Sequence, residues 1–295
     1  MKKLEKFLVK PKTPFLGFQT NLEEAKFVIV GFPFDSTSTY RFGSKKAPKA
    51  IREASLNIET YSFRSNLCVE DLKIHDLGNV KLSKNMDKNF SNLTHIVSEV
   101  FKMKKFPVVL GGEHTLTYSV FEAFPEKFGI ISFDAHFDLR DEYMGRRFSH
   151  TTFMRRIIEK VGKENVFFVG VRATCKEELE YVNSKKIRYL SCREIKEKGL
   201  TMVLHEVRDF MESFSKSYLT IDVDVLDPAY APAVANPEPE GLNLSFLLDL
   251  LYGMEWKKIV GFDLVEVAPD YDFGVTSIEA AKIVFEVLGA VEKSS

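Results

Sequence analysis

With 295 residues, 45% hydrophobic and 28% charged side chains, and a formal net charge of −1, the chain can bury a substantial core but has no basic footprint for nucleic acid or an anionic membrane surface. No stretch approaches the ~18 consecutive apolar residues of a membrane span, and the charged opening Met1-Lys2-Lys3-Leu4-Glu5-Lys6 lacks a leader's apolar segment, so a soluble, cytoplasmic protein is expected. Cys68, Cys175 and Cys192 are odd in number and widely spaced, which fits reduced thiols rather than a disulfide framework.

After a loose opening with Pro11 and Pro14, the run Phe27-Val28-Ile29-Val30 predicts a first strand, apolar throughout and hence buried on both faces. It ends in the turn-rich Gly31-Phe32-Pro33-Phe34-Asp35. A loop over 36–43 follows, then a helix that Pro48 opens through Ala54. Residues 72–76 predict a short strand whose His75 reads as structural, and Met86, Phe90, Leu93, Val97 and Val100 recur at helical spacing. A strand at 107–110 stops at Gly111-Gly112-Glu113-His114-Thr115 before a helix through Tyr118, Phe121 and Phe124. Strands at 129–134, 166–169, 187–190 and 218–223 alternate with helices at 150–161, 176–182 and within 193–214. The segment 227–239 holds four prolines, which describes a stiff loop able to wall a pocket. A helix at 244–253, a strand at 259–265 and a helix at 277–288 complete the chain. Alternating strands and helices, with strands rich in Val, Ile and Phe, imply one α/β domain over residues 1–295 built on a parallel sheet with helices on both faces. A barrel is the competing architecture.

The chemistry concentrates in Ser132-Phe133-Asp134-Ala135-His136-Phe137-Asp138 and in Asp222-Val223-Asp224, each following an apolar run. In an extended chain residues two apart share a face, so Asp134, His136 and Asp138 can converge beyond a strand end, where open parallel sheets put their sites. Either motif alone reads more simply as a solvated strand end. Together, four aspartates and a histidine concentrate like charge at a cost of several kcal/mol unless cations are near, which points to metal. Carboxylates mixed with imidazole and no cysteine suit manganese, iron or zinc better than calcium or a thiolate zinc site. His114 then reads as a further ligand arriving from a neighbouring strand end.

These residues carry a family likeness. Gly111-Gly112-Glu113-His114, Asp134-Ala135-His136-Phe137-Asp138, Ser149-His150, Asp222-Val223-Asp224 with Asp227-Pro228, and Asp263-Leu264-Val265-Glu266-Val267-Ala268-Pro269 resemble the ureohydrolases, in family order, from about Phe27 to Leu288. The resemblance implies a three-layer α/β/α fold, two manganese ions, and hydrolysis of a guanidino group to urea and an amine. It also implies that His114 and Asp138 bind one ion and His136 and Asp224 the other, with Asp134 and Asp222 shared. Glu266 would hold the guanidinium and His150 would relay a proton to the departing amine; Asp138 is counted with them among the catalytic residues. Homotrimers or homohexamers are common in the family, and a small cationic guanidino compound is the expected partner.

The loop Leu139 to Phe148 resembles the agmatinase branch rather than the Asn-rich arginase loop, so agmatine is the expected substrate, with aminopropylagmatine, guanidinobutyrate or arginine behind it. Thr151, where glycine is frequent, and Ala233-Val234-Ala235-Asn236 depart from the usual pattern and are expected to shape the tail pocket. A zinc-dependent deacetylase of related fold ranks lower because no His-His pair occurs. A non-catalytic assembly subunit has no evident need for six ligands.

Overall fold

A computed structural model describes residues 2–124, 126 and 128–294. Its strands in chain order are β1 (Leu8–Val9), β2 (Phe27–Phe32), β3 (Tyr61–Ser62), β4 (Leu67–Cys68), β5 (Ile74–Val80), β6 (Phe106–Gly111), β7 (Gly129–Phe133), β8 (Val166–Val171), β9 (Arg188–Ser191), β10 (Ser217–Asp222) and β11 (Ile259–Val265). The helices are α1 (Lys2–Glu5), α2 (Ala47–Ala54), α3 (Met86–Lys102), α4 (Leu116–Ala123), α5 (Phe153–Val161), α6 (Lys176–Lys185), α7 (Cys192–Glu212), α8 (Leu244–Tyr252) and α9 (Val275–Lys293).

Nine strands form one open sheet in the order β1-β5-β2-β6-β11-β10-β7-β8-β9, which rules out the barrel. All neighbours are parallel except β1, which runs antiparallel to β5 at the edge. The eight expected strands are present. The two-residue β1 and the β3–β4 hairpin are additions too short to show a period.

Strand residues alternate between two cores, which is why the strands read as unbroken apolar runs. Phe27, Ile29, Val108, Leu110, Ile131, Phe133, Leu219 and Ile221 face the layer of α2, α7, α8 and α9. Val28, Val30, Val109, Ile130, Phe168 and Tyr218 face α3, α4, α5 and α6. The result is three layers with a doubly covered sheet.

Register sets the functional edge. Phe32 lies beside Gly111, Leu110 beside Leu264, Val265 beside Asp222, and Ile221 beside Phe133. The C-terminal ends of five adjacent strands therefore finish together, and their following loops share one crevice.

One polar feature lies inside this frame. Arg52 on α2 grips Asp76 on β5 through Nε at 2.7 Å and Nη2 at 2.8 Å, with both side chains buried, while Phe15 and Gly78 donate their N–H groups to the same carboxylate. Breaking such a pair leaves an uncompensated buried charge, so Asp76→Ala is expected to cost about 3–5 kcal/mol in urea unfolding. A loss below about 1 kcal/mol would show the pair to be dispensable.

Candidate active site

Each strand end delivers its residues by a turn rather than by strand alternation. β7 stops at Phe133, and Asp134 accepts the His136 N–H at 2.6 Å across a tight turn. Asp138 reaches the same space because its backbone is left-handed, φ 54°, an unusual conformation for a side-chain-bearing residue that costs about 1–3 kcal/mol. β10 stops at Asp222, whose carboxylate accepts the Asp224 N–H at 2.8 Å as the chain enters a single 3-10 turn. The shared strand face expected for both motifs is thus corrected: the side chains do converge, but in turns that carry the chain beyond the sheet. The expected helix from His150 begins only at Phe153, leaving His150 in a turn pinned to Thr37.

His114, Asp134 and Asp222 bring one ligand atom each within 4.8 Å of one another, and Asp134, His136 and Asp224 do the same, so Asp134 belongs to both groups. His114 Nδ1 lies 3.0 Å from Asp134, 3.3 Å from Asp222 and 3.6 Å from Asp138, and His136 Nδ1 lies 2.9 Å from Asp224. All six residues named from the sequence therefore meet at one place. The donor set fits a pair of divalent ions. Burial, and then the charge of neighbouring acids, pushes the Asp138 and Asp222 carboxyls well above the usual range. Asp134 is held below it against burial by its two histidines. Burial and neighbouring acids disfavour the ionised form of Asp138 and Asp222, and nearby cations would favour it.

His114 is oriented from behind. Its Nε2 lies 2.8 Å from the Thr220 hydroxyl, which donates to the wholly buried Asp263 at 2.5 Å; Thr117 and Tyr218 donate to the same carboxylate. With the Thr220 proton committed to Asp263, its oxygen accepts from His114 Nε2–H, and Nδ1 is turned to the carboxylates. Burial alone would depress this imidazole, but Asp134 and Asp138 outweigh it and lift the pKa to about 9.

Glu266 follows β11, also in a left-handed conformation at φ 68°. One oxygen accepts the His114 N–H at 2.6 Å, and the other, Oε2, is buried without a hydrogen-bond partner. Burial, with Glu113 adding, pushes its carboxyl up to about 8. His150 has a buried, unpartnered Nε2, and burial together with the positive charge of His136 and His114 pulls it down to about 4, so it is neutral at pH 7. The Glu113 carboxylate beside His114 is engaged by Thr37 and Thr115; burial raises its carboxyl against the three hydrogen bonds it accepts from them. Gly112 lets these segments meet: a Cβ there would sit 2.0 Å from the Phe34 carbonyl oxygen.

A cavity of about 270 Å³ opens onto this cluster, lined by His114, His136, Asp138, His150, Asp222, Asp224 and Glu266, and also by Thr39, Arg140, Tyr143, Thr151, Ala173, Thr174, Glu178 and Asn236. Of the two departures from the family pattern, Thr151 lines it, and of Ala233-Val234-Ala235-Asn236 only Asn236 does. Of the arginines in the 139–148 loop only Arg140 lines the cavity. Arg146 donates to the Ser36 carbonyl and Arg147 pairs with Asp141. Arg172 is a residue that motif reading misses: its guanidinium donates to the carbonyls of Asp224 at 2.6 Å and Glu238 at 2.7 Å, tying the proline-rich loop to the ligand turn. No helix among the described residues is long and apolar enough to cross a membrane.

The model of the arginase family matches residues 25–289. The chain is 37% identical to an agmatinase of Bacillus cereus, over 93% of this chain and 94% of that protein. It is 31% identical to a mitochondrial guanidino acid hydrolase of Homo sapiens, over 94% of this chain and 82% of that one. The crystal structure of an agmatine ureohydrolase of Thermoplasma volcanium superposes with a TM-score of 0.89 at 35% identity, covering 99% of this chain and 98% of the other. With the motifs in family order and the strand ends gathered into one crevice, the chain belongs to the arginase family, in its agmatinase branch, and is a ureohydrolase.

Proposed function

We propose that the protein hydrolyses the guanidino group of agmatine to urea and putrescine, using two manganese ions held by His114, Asp134, His136, Asp138, Asp222 and Asp224. The observation that carries this reading is the buried, unpartnered Oε2 of Glu266 beside both ligand groups: an acceptor with no donor, in a cavity, matches a guanidinium N–H. The ions would supply a water of lowered pKa as nucleophile. Glu266 fixes the guanidinium so that its carbon faces the ligand cluster. His150, neutral with a bare nitrogen, takes up a proton at Nε2 and returns it to the departing amine nitrogen.

The tail is read by Arg140 and Glu178, which line the cavity outside the ligand cluster. The Arg140 guanidinium lies over the Tyr143 ring, 4.8 Å from its centroid, and 3.9 Å from Glu178. Agmatine's terminal ammonium suits Glu178. A second reading, a guanidino acid such as guanidinobutyrate, is favoured by the Arg140 donors, for which the structure gives no hydrogen-bond acceptor among the described residues. Urea release from agmatine, aminopropylagmatine, guanidinobutyrate and arginine, with manganese supplied, tests both readings. A higher kcat/KM for arginine than for every decarboxylated substrate overturns the agmatine assignment. Arg140→Ala is expected to lower kcat/KM for guanidinobutyrate about tenfold, the worth of one charged hydrogen bond, while agmatine stays within about threefold.

A homotrimer or homohexamer in the cytoplasm remains part of this proposal, supported by the family resemblance and by exposed Tyr40, Phe42 and Phe273. Light scattering that finds a monomer at micromolar concentration removes it.

A further inference from the structure

We propose that Thr37 is a positioning residue for His150: by giving its hydroxyl proton to Glu113 it holds the imidazole in the Nδ1–H tautomer and leaves Nε2 as a bare lone pair in the cavity. The inference rests on the reading that His150 handles the proton.

Thr37 belongs to the loop after β2, far in sequence from both of its partners. Glu113 is fully buried, and each of its contacts among the described residues comes from a group able to donate: the Thr37 N–H at 2.6 Å on Oε2, and the Thr37 and Thr115 hydroxyls at 2.7 Å and 2.6 Å on Oε1. That is the pattern of a carboxylate acting as acceptor. A hydroxyl has one proton, and Thr37 spends it on Glu113, so its oxygen can only accept from its other neighbours. Those neighbours are the His150 N–H at 3.0 Å and His150 Nδ1 at 3.0 Å. Two lone pairs receive two donors, and Nδ1 must therefore carry the imidazole proton. The remaining nitrogen, Nε2, is buried, has no partner and belongs to a side chain lining the cavity. The carboxylate thus acts on the imidazole through a threonine, as Asp263 acts on His114 through Thr220. The opposite proton placement, an acid proton on Glu113 Oε1, would make Thr37 donate to Nδ1 and move the imidazole proton to Nε2, occupying the lone pair that the reaction needs.

The test compares Thr37→Ser, which keeps the hydroxyl, with Thr37→Val, which removes it, in the manganese-loaded enzyme with agmatine. Thr37→Ser is expected to retain kcat within about threefold. Thr37→Val is expected to lose about 10²–10³-fold in kcat, within the range of general acid–base effects, with KM and bound manganese unchanged. His150→Asn separates the role of His150 from that of Thr37. If that variant keeps full kcat, the proton-relay reading of His150 fails. If it is impaired but Thr37→Val costs as much again on its background, Thr37 does not act through His150 and its positioning role is overturned. A direct readout covers the case in which Thr37→Val does not fold: ¹⁵N NMR of histidine-labelled wild-type protein loaded with zinc as a diamagnetic ion. A proton on Nδ1 of His150 supports the assignment, and a proton on Nε2 overturns it.

Discussion

Asp134→Ala is expected to lower affinity for both manganese ions by more than ~100-fold and to abolish measurable urea release, a larger effect than replacement of a ligand that serves a single ion. Asp134 is the residue common to the two ligand groups, approaching His114 at 3.0 Å through one oxygen and lying 3.6 Å from His136 through the other. Loss of an outer partner of a metal ligand already costs 10–100-fold in affinity, so removal of a shared inner ligand costs more. His114→Ala or Asp138→Ala should instead weaken one ion more than the other, because each would serve a single ion. Manganese content after gel filtration, read beside circular dichroism to establish folding, checks the order. Two firmly bound ions per folded Asp134→Ala chain would refute the assignment of this residue.

Glu266→Gln is expected to reduce kcat/KM for agmatine by about 10² to 4×10³-fold with manganese content unchanged. The free Oε2 is the acceptor assigned to the substrate's guanidinium, and removing one charge of a buried, hydrogen-bonded pair costs about 3–5 kcal/mol, at 1.4 kcal/mol per tenfold. Glutamine keeps an oxygen for the His114 N–H, which the native side chain accepts at 2.6 Å, so the turn after β11 should survive. Steady-state kinetics on the folded, metal-replete variant decide the matter. A loss smaller than about threefold would mean that the guanidinium is anchored elsewhere.

Both expectations start from residues legible in the amino-acid sequence. Six of the eight expected strands stand out there as buried apolar runs because the sheet is covered on both faces, and the acids after three of them stand out because nothing apolar explains them. Asp134, His136, Asp138, Asp222, Asp224, His114, Glu266 and His150 can be named for that reason and from their likeness to a family. Their convergence belongs to the tertiary structure: it depends on strand register, on turns after β7 and β10, and on left-handed backbone at Asp138 and Glu266, none of which has a period to read. The residues behind the ligands are hidden more deeply. Thr37, Thr220 and Arg172 are ordinary loop or strand residues in sequence, and only contact across 113 positions shows that Thr37 serves His150. The same holds for Arg140: composition records an arginine in a polar loop, while its direction, into the cavity beside Glu178 and over Tyr143, is set by how that loop closes on the neighbouring strand ends. Local sequence determined which elements form and which side chains carry chemistry, because burial and periodicity are local signals. Long-range packing alone decided which of those side chains face one another, because hydrogen-bond direction and charge pairing depend on partners that the chain brings together only when folded.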